Sequence, residues 1–206
     1  MDIYYFVIMK NQLISDAMGL IFLEEDDLKV FMPSLEENCR TDKRRLIQPL
    51  YSKLTSGEIT SQQLSQKLGI VNPTLDFLMN VTLDENFCEF AGQIGNSRQV
   101  SVLSNDSQEW ADYRNGRLGL NKIVARYFTS GFLRVRKPSP EAWEKTCVHL
   151  GTEPRNCFYI DNLAVNLSTA RDVGMDVVLF RRDGRNDSCY PLVRNFQELS
   201  AYLGVK

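Results

Sequence analysis

Four short apolar runs punctuate the chain, at residues 12–15, 100–103, 157–160 and 177–180. Each is brief, rich in β-branched or aromatic residues, and followed by polar turn residues. That is the pattern of parallel strands covered by helices on both faces. Between the last three runs the period becomes helical. Residues 141–150 place Ala142, Cys147 and Leu150 among their apolar positions, and residues 166–173 are similarly amphipathic and stop before Gly174, which suits a helix C-terminus. Alternating strands and helices predict an α/β fold: a doubly wound, Rossmann-like parallel sheet with right-handed crossovers.

Residues 23–86 break this rhythm. Helical patterns at 35–53 and 61–68 are joined by Thr55-Ser-Gly-Glu58 and closed by Gly69. Thr60 with Gln63 three residues later predicts a capping box at the start of the second helix. A helical insert between the first and second core strands reads as a small cap subdomain, giving a core of 1–22 and 87–206 and a cap of 23–86. Its apolar positions Leu35, Leu46, Leu50, Tyr51, Leu64 and Leu68 are assigned to packing rather than to a pocket. They carry no readable substrate preference, and the chain shows no internal repeat or low-complexity segment.

Composition narrows the function classes. The 206 residues are 43% hydrophobic and 24% charged, enough for one core and an accessory domain. A formal net charge of −2 and a pI near 5.6 give no basic footprint, so nucleic acid is not the expected partner. The basic cluster between Arg40 and Arg45 reads as a solvated helix face. No run has the length of a membrane-spanning helix, and the start lacks the basic region and small-residue cleavage site of a signal peptide. Met9-Lys10 also reads as an alternative natural start. Five scattered cysteines without a C-x-x-C pair point to reduced thiols in the cytoplasm. The single histidine, His149, lies in an amphipathic stretch and is assigned to the surface, which sets aside Ser–His and Cys–His triads.

Ligands of open α/β sheets bind beyond the carboxyl ends of the strands. The residues ending the predicted strands are Asp16, the pair Ser104-Asn105 and the pair Asp161-Asn162. Arg136-Lys137-Pro-Ser-Pro140 immediately precedes a helix. Two acids, a hydroxyl and an ammonium on one edge suit phosphoryl chemistry: a carboxylate attacks, a cation and a metal neutralise charge, and a hydroxyl holds a non-reacting oxygen.

These residues carry a family resemblance. Asp16-Ala-Met-Gly19-Leu-Ile-Phe22 resembles the first motif of the haloacid-dehalogenase superfamily. Val102-Leu-Ser-Asn105 is similar to the second, Lys137-Pro-Ser-Pro140 to the third, and Tyr159-Ile-Asp-Asn162 with Asn166 to the fourth. They stand in family order, with the cap after the first motif. A competing first strand at 5–14 would put Ile8 and Lys10 where the family has carboxylates. It lacks the glycine that allows the turn after the nucleophile, whereas Asp16 has Gly19.

The resemblance implies Asp16 as a nucleophile forming an acyl phosphate. It implies Mg²⁺ held by Asp16, the main-chain carbonyl of Met18 and Asp161, since Mg²⁺ prefers oxygen ligands. Ser104 and Asn105 are expected at the substrate. Lys137 is expected to neutralise both nucleophile and transferring group, and Asn162 replaces the second acid of many relatives. Met18 occupies the general acid/base position, where methionine cannot donate or accept a proton, a loss of about 10²–10⁴ in rate. The implied function is a Mg²⁺-dependent hydrolase of small phosphorylated metabolites. Its competitors are a non-catalytic phosphate- or partner-binding protein and a haloacid dehalogenase, whose departing halide needs no proton. Oligomeric state is not readable.

Overall fold

A computed structural model describes residues 12–71, 75–95, 97–186 and 188–205. The competing first strand and the alternative start lie largely or wholly outside them. Among the described residues six strands form one all-parallel sheet: β1 (Gln12–Ser15), β2 (Gln99–Ser104), β3 (Arg126–Thr129), β4 (Cys157–Asp161), β5 (Asp176–Phe180) and β6 (Leu192–Val193). Their spatial order is β3-β2-β1-β4-β5-β6. The chain builds outward from β1 through β2 to β3, then returns to the far side of β1 as β4. That reversal opens a crevice at the carboxyl ends of the central strands. Ser15 pairs with Val102 on one side and Ile160 on the other, so Asp16 leaves the sheet level with Asp161 and beside the end of β2.

Strand alternation divides the core in two. Leu13, Val100, Val102, Ile160, Val178 and Phe180 face one layer, whereas Ile14, Leu103, Tyr159, Val177 and Leu179 face the other. The helices are α1 (Asp27–Asn38), α2 (Ile47–Thr55), α3 (Ser61–Leu68), α4 (Glu85–Ile94), α5 (Gln108–Leu118), α6 (Ser130–Leu133), α7 (Pro140–Leu150), α8 (Ala164–Asp172) and α9 (Phe196–Tyr202). Phe87, Phe90 and Ile94 of α4 and Phe196 and Leu199 of α9 cover the first face. Trp143 and Cys147 of α7 and Leu167 and Ala170 of α8 cover the second.

The four expected strands are present, each within a residue of its expected limits. β3 and β6 add to them; Arg126-Tyr-Phe-Thr129 is short and begins on a charged residue, and β6 has two residues. The helix expected over 35–53 is broken. Cys39 (ψ 157°) and Arg40 (ψ 136°) are extended, and a 3₁₀ turn at Thr41–Leu46 precedes α2. The break lets the Arg40 amide donate to the Leu68 carbonyl (3.1 Å), a contact with α3 that local periodicity does not encode. The Thr60–Gln63 capping box forms as expected, and Gly69 closes α3 at φ +68°. None of the five cysteines is in a disulfide, and the Cys147 and Cys157 sulfurs lie 3.9 Å apart. The His149 ring lies 5.1 Å from that of Phe132. Among the described residues no helix is long and apolar enough to cross a membrane.

The helices of 23–86 share one core with the sheet. Trp110 of α5 joins them, its ring centroid 5.9 Å from Phe31, 5.8 Å from Tyr51 and 5.2 Å from Phe77. Leu35, Tyr51, Leu64 and Leu68 are buried in the same core, with Leu46 and Leu50 partly buried against it. Trp110→Ala is expected to lower unfolding free energy by about 3–5 kcal/mol, the cost of emptying a large buried site. Urea denaturation checks this, and a loss below about 1 kcal/mol would show that the two parts do not depend on this junction.

Candidate active site

Asp16, Lys137 and Asp161 converge where β1 and β4 end. The Lys137 ammonium donates to Asp16 Oδ1 at 2.6 Å, to Asp161 Oδ2 at 3.2 Å and to the Tyr159 hydroxyl oxygen at 3.0 Å. Its side chain is 2% exposed and that of Asp161 is 0% exposed, so this is an interior ion cluster. Asp161 is held further by the Leu163 amide on Oδ1 (2.8 Å), and by the Asn166 side chain (2.9 Å) and Tyr159 hydroxyl on Oδ2. The Asp16 amide donates to the Ile160 carbonyl at 2.9 Å, which ties the first strand end to the fourth motif.

Lys137 lies on a loop, so its main chain needs an anchor. Asn105 provides one: its Nδ2 donates to the Lys137 carbonyl (2.9 Å) and its Oδ1 accepts from the Lys137 amide (2.8 Å). The side chain expected to meet substrate is thus spent on orienting the lysine, although Asn105 still borders the cavity. Ser104 is buried at the end of β2 and lines the same cavity.

The charges are unbalanced. Burial pushes the Asp16 carboxyl up to about 6; Lys137 opposes the shift and Asp161 reinforces it. Burial alone would lower Lys137, but the two carboxylates hold its ammonium above the ordinary lysine range. Two carboxylates against one ammonium leave a buried negative surplus that a divalent cation would relieve. The donors are all oxygens, as a hard ion requires. Among the described residues no cluster of three His, Cys, Asp or Glu side chains forms a metal site, so Asp16 and Asp161 have no third side chain of these types beside them.

After Asp16 the chain turns sharply at Gly19, with φ +76°. A Cβ there would lie 2.5 Å from the Asn162 side-chain nitrogen, so the glycine serves both the backbone conformation and the close approach of the fourth motif. Met18 reaches the cavity, which has a volume of about 280 Å³. Besides the expected residues, that cavity is bordered by Glu25, Asp26, Asp27 and Arg136. Sequence reasoning missed the three acids, named Arg136 beside Lys137 without giving it a role, and also missed the role of Tyr159. Arg136 directly precedes Lys137 in the chain, a signal available at the outset; its guanidinium bonds the Thr55 hydroxyl in α2.

Among known proteins, no family model matches the chain. A flavin mononucleotide hydrolase of Arabidopsis thaliana is 32% identical over 71 residues, 34% of this chain and 29% of its own length. An enolase-phosphatase E1 of Drosophila mojavensis is 25% identical over 118 residues, 46% of this chain and 47% of its own. The chain therefore matches less than half the length of either relative. Solved structures align over nearly their whole length. A HAD phosphatase from Thermococcus onnurineus superposes with TM-score 0.74 at 15% identity, covering 95% of this chain and 99% of that one. A HAD-family enzyme from Bacteroides thetaiotaomicron, in complex with magnesium and inorganic phosphate, gives 0.68 at 15% identity over 86% and 97%. At these identities the structural likeness is one of fold.

Proposed function

We propose that the chain is a hydrolase of the haloacid-dehalogenase superfamily that cleaves small phosphorylated molecules through Asp16, a reading supported by the partial matches to a flavin mononucleotide hydrolase and an enolase-phosphatase and by the fold shared with solved HAD structures. The observation that carries this reading is the buried Lys137 ammonium, shared by Asp16 and Asp161 at the mouth of the sheet crevice. Asp16 attacks phosphorus as the ester bond breaks, forming an aspartyl phosphate that water then cleaves. Lys137 keeps Asp16 ionised and offsets the charge of the transferring group. The Ser104 hydroxyl donates to a non-bridging oxygen. Asn105 holds Lys137 in register, and Asn166 and the Leu163 amide fix Asp161.

Asp16, Asp161 and the Met18 carbonyl are the residues that would hold Mg²⁺. When bound, the ion neutralises phosphoryl oxygens and polarises the ester. A neighbour holding magnesium and inorganic phosphate supports this assignment. Residues 23–86 act as the cap, since Glu25, Asp26 and Asp27 close one side of the cavity.

The test is hydrolysis of p-nitrophenyl phosphate and a panel of phosphorylated metabolites. Activity is expected with Mg²⁺, loss on chelation, and recovery when Mg²⁺ is restored. Absence of Mg²⁺-dependent turnover on every substrate would sink the reading. Met18 in the cavity favours a second reading, hydrolysis of 2-haloacids, because halide departs without a proton. Halide release insensitive to chelator is its mark.

A further inference from the structure

The oxygen of an alkyl ester, unlike halide, needs a proton as it leaves, and Met18 has none to give. We propose that Asp27, a residue at the start of α1 that borders the cavity of Asp16 and whose carboxyl is bonded by the Tyr51 hydroxyl, is the general acid/base of this site. This rests on the phosphohydrolase reading above.

Three acids of the helical segment border that cavity, and their surroundings separate them. Asp26 caps α1: its Oδ1 accepts from the Leu28 amide (3.0 Å) and the Lys29 amide (3.2 Å), and its carboxylate pairs with the Lys29 ammonium at 3.7 Å. These contacts spend its carboxylate on capping the helix. Glu25 is exposed. Asp27 is half-buried and accepts a hydrogen bond from Tyr51, itself only 5% exposed.

The groups around Asp27 are Tyr51 of α2, Asp106 beyond β2 and Asp26 on its own turn. The Asp106 carboxylate is bound by Arg114 at 2.5 Å, and Arg136, on the same cavity, bonds Thr55. Burial raises the Asp27 carboxyl above the usual range; the Tyr51 bond opposes this, and Asp106 and Asp26 add to it. A carboxyl with that bias carries a proton closer to neutral pH than an ordinary aspartate, as a general acid needs.

The proton balance closes over one turnover. Asp27 gives its proton to the ester oxygen while the bond from that oxygen to phosphorus breaks and the Asp16–phosphorus bond forms. The alcohol leaves neutral and Asp27 is left as carboxylate. It then takes a proton from water as the water oxygen bonds phosphorus and the aspartyl–phosphorus bond breaks. Phosphate departs with Asp16 ionised and Asp27 protonated again.

Asp27→Asn separates this role from a structural one through the leaving group. With an alkyl phosphate, the rate of first-turnover ester cleavage is expected to fall by about 10²–10⁴. With p-nitrophenyl phosphate, whose phenolate leaves without a proton, first-turnover nitrophenol release is expected to stay within a few-fold of wild type, followed by slow turnover. Met18→Asp in the Asp27→Asn background is expected to restore part of the alkyl-phosphate rate. Equal losses on both substrates would overturn Asp27 as the acid and leave the phosphohydrolase reading standing. A wild-type chain inert on all phosphate esters would end both. If Asp27→Asn lowers the melting temperature below the assay temperature, Tyr51→Phe is expected to show the same leaving-group dependence at smaller size; its absence there overturns the proposal equally.

Discussion

Asp16→Asn is expected to abolish phosphate-ester turnover and leave the fold intact. An amide has the size of the carboxylate and keeps an oxygen for the Lys137 ammonium, now 2.6 Å away, but it cannot form an acyl phosphate. The stability side of the prediction has a definite sign. In the metal-free protein the Asp16 carboxyl is raised from 3.8 to about 6, mainly by burial. The folded state therefore binds this proton more tightly than the unfolded chain, and stability falls as pH rises from about 3.8 to about 6. Above that window the whole cost of ionising a buried group is present. A neutral amide removes this cost, so at pH 7.5 the metal-free variant is expected to melt at or above the wild-type temperature. A phosphatase assay and thermal unfolding on the same sample check both halves. Residual Asp16-independent turnover would remove Asp16 as the nucleophile.

Lys137→Met is expected to cost both activity and stability. Methionine fills most of the lysine volume, so the change isolates the charge. Asp16 and Asp161 would then face each other at the sheet edge without the cation that both contact, at 2.6 and 3.2 Å. Breaking a buried ion cluster by removing one partner typically costs about 3–5 kcal/mol. Guanidinium unfolding of the metal-free protein measures the loss. Adding Asp16→Asn is expected to recover a large part of it, because one of the stranded charges disappears; the non-additivity of that cycle reports the coupling. Lys137→Arg is not expected to rescue turnover. A planar guanidinium cannot replace a compact ammonium bonded to three oxygens in a side-chain site that is 2% exposed. A Lys137→Met loss under about 1 kcal/mol, against the range for buried pairs, would show that the carboxylates do not rely on the lysine.

Much of the fold was legible because its signals are local. Residues 157–160 are apolar throughout, residues 12–15 are buried along their whole length around Leu13 and Ile14, and each run is followed directly by the aspartate that matters. The Thr60–Gln63 box involves four consecutive residues and forms as written. β3 escaped because four residues beginning Arg126-Tyr127 give too short an alternation. The break at Cys39 escaped because its compensation, the Arg40 amide on the Leu68 carbonyl, comes from a helix some thirty residues on. Asp26 and Asp27 looked like ordinary acids opening a helix. Asp26 is that, whereas Asp27 differs because Tyr51, 24 residues away, packs over it.

By itself the sequence determined which strand ends carry Asp16, Ser104 and Asp161, and the order in which the motifs follow. Strand alternation, turn glycines and helix caps depend on neighbours a few residues apart. Only the tertiary structure decided how those ends meet. Lys137 reaches Asp16 across 121 positions of chain, because the sheet order sets β1 between β2 and β4 and Asn105 anchors the lysine's main chain. The same long-range packing spends Asn105 on positioning, brings the Tyr159 hydroxyl into the ion cluster, and makes Trp110 the junction between the sheet and the helices of 23–86. It also brings Asp27 to the cavity that Met18 shares with Asp16, for convergence of side chains follows from the packing of distant segments and leaves no mark in local pattern.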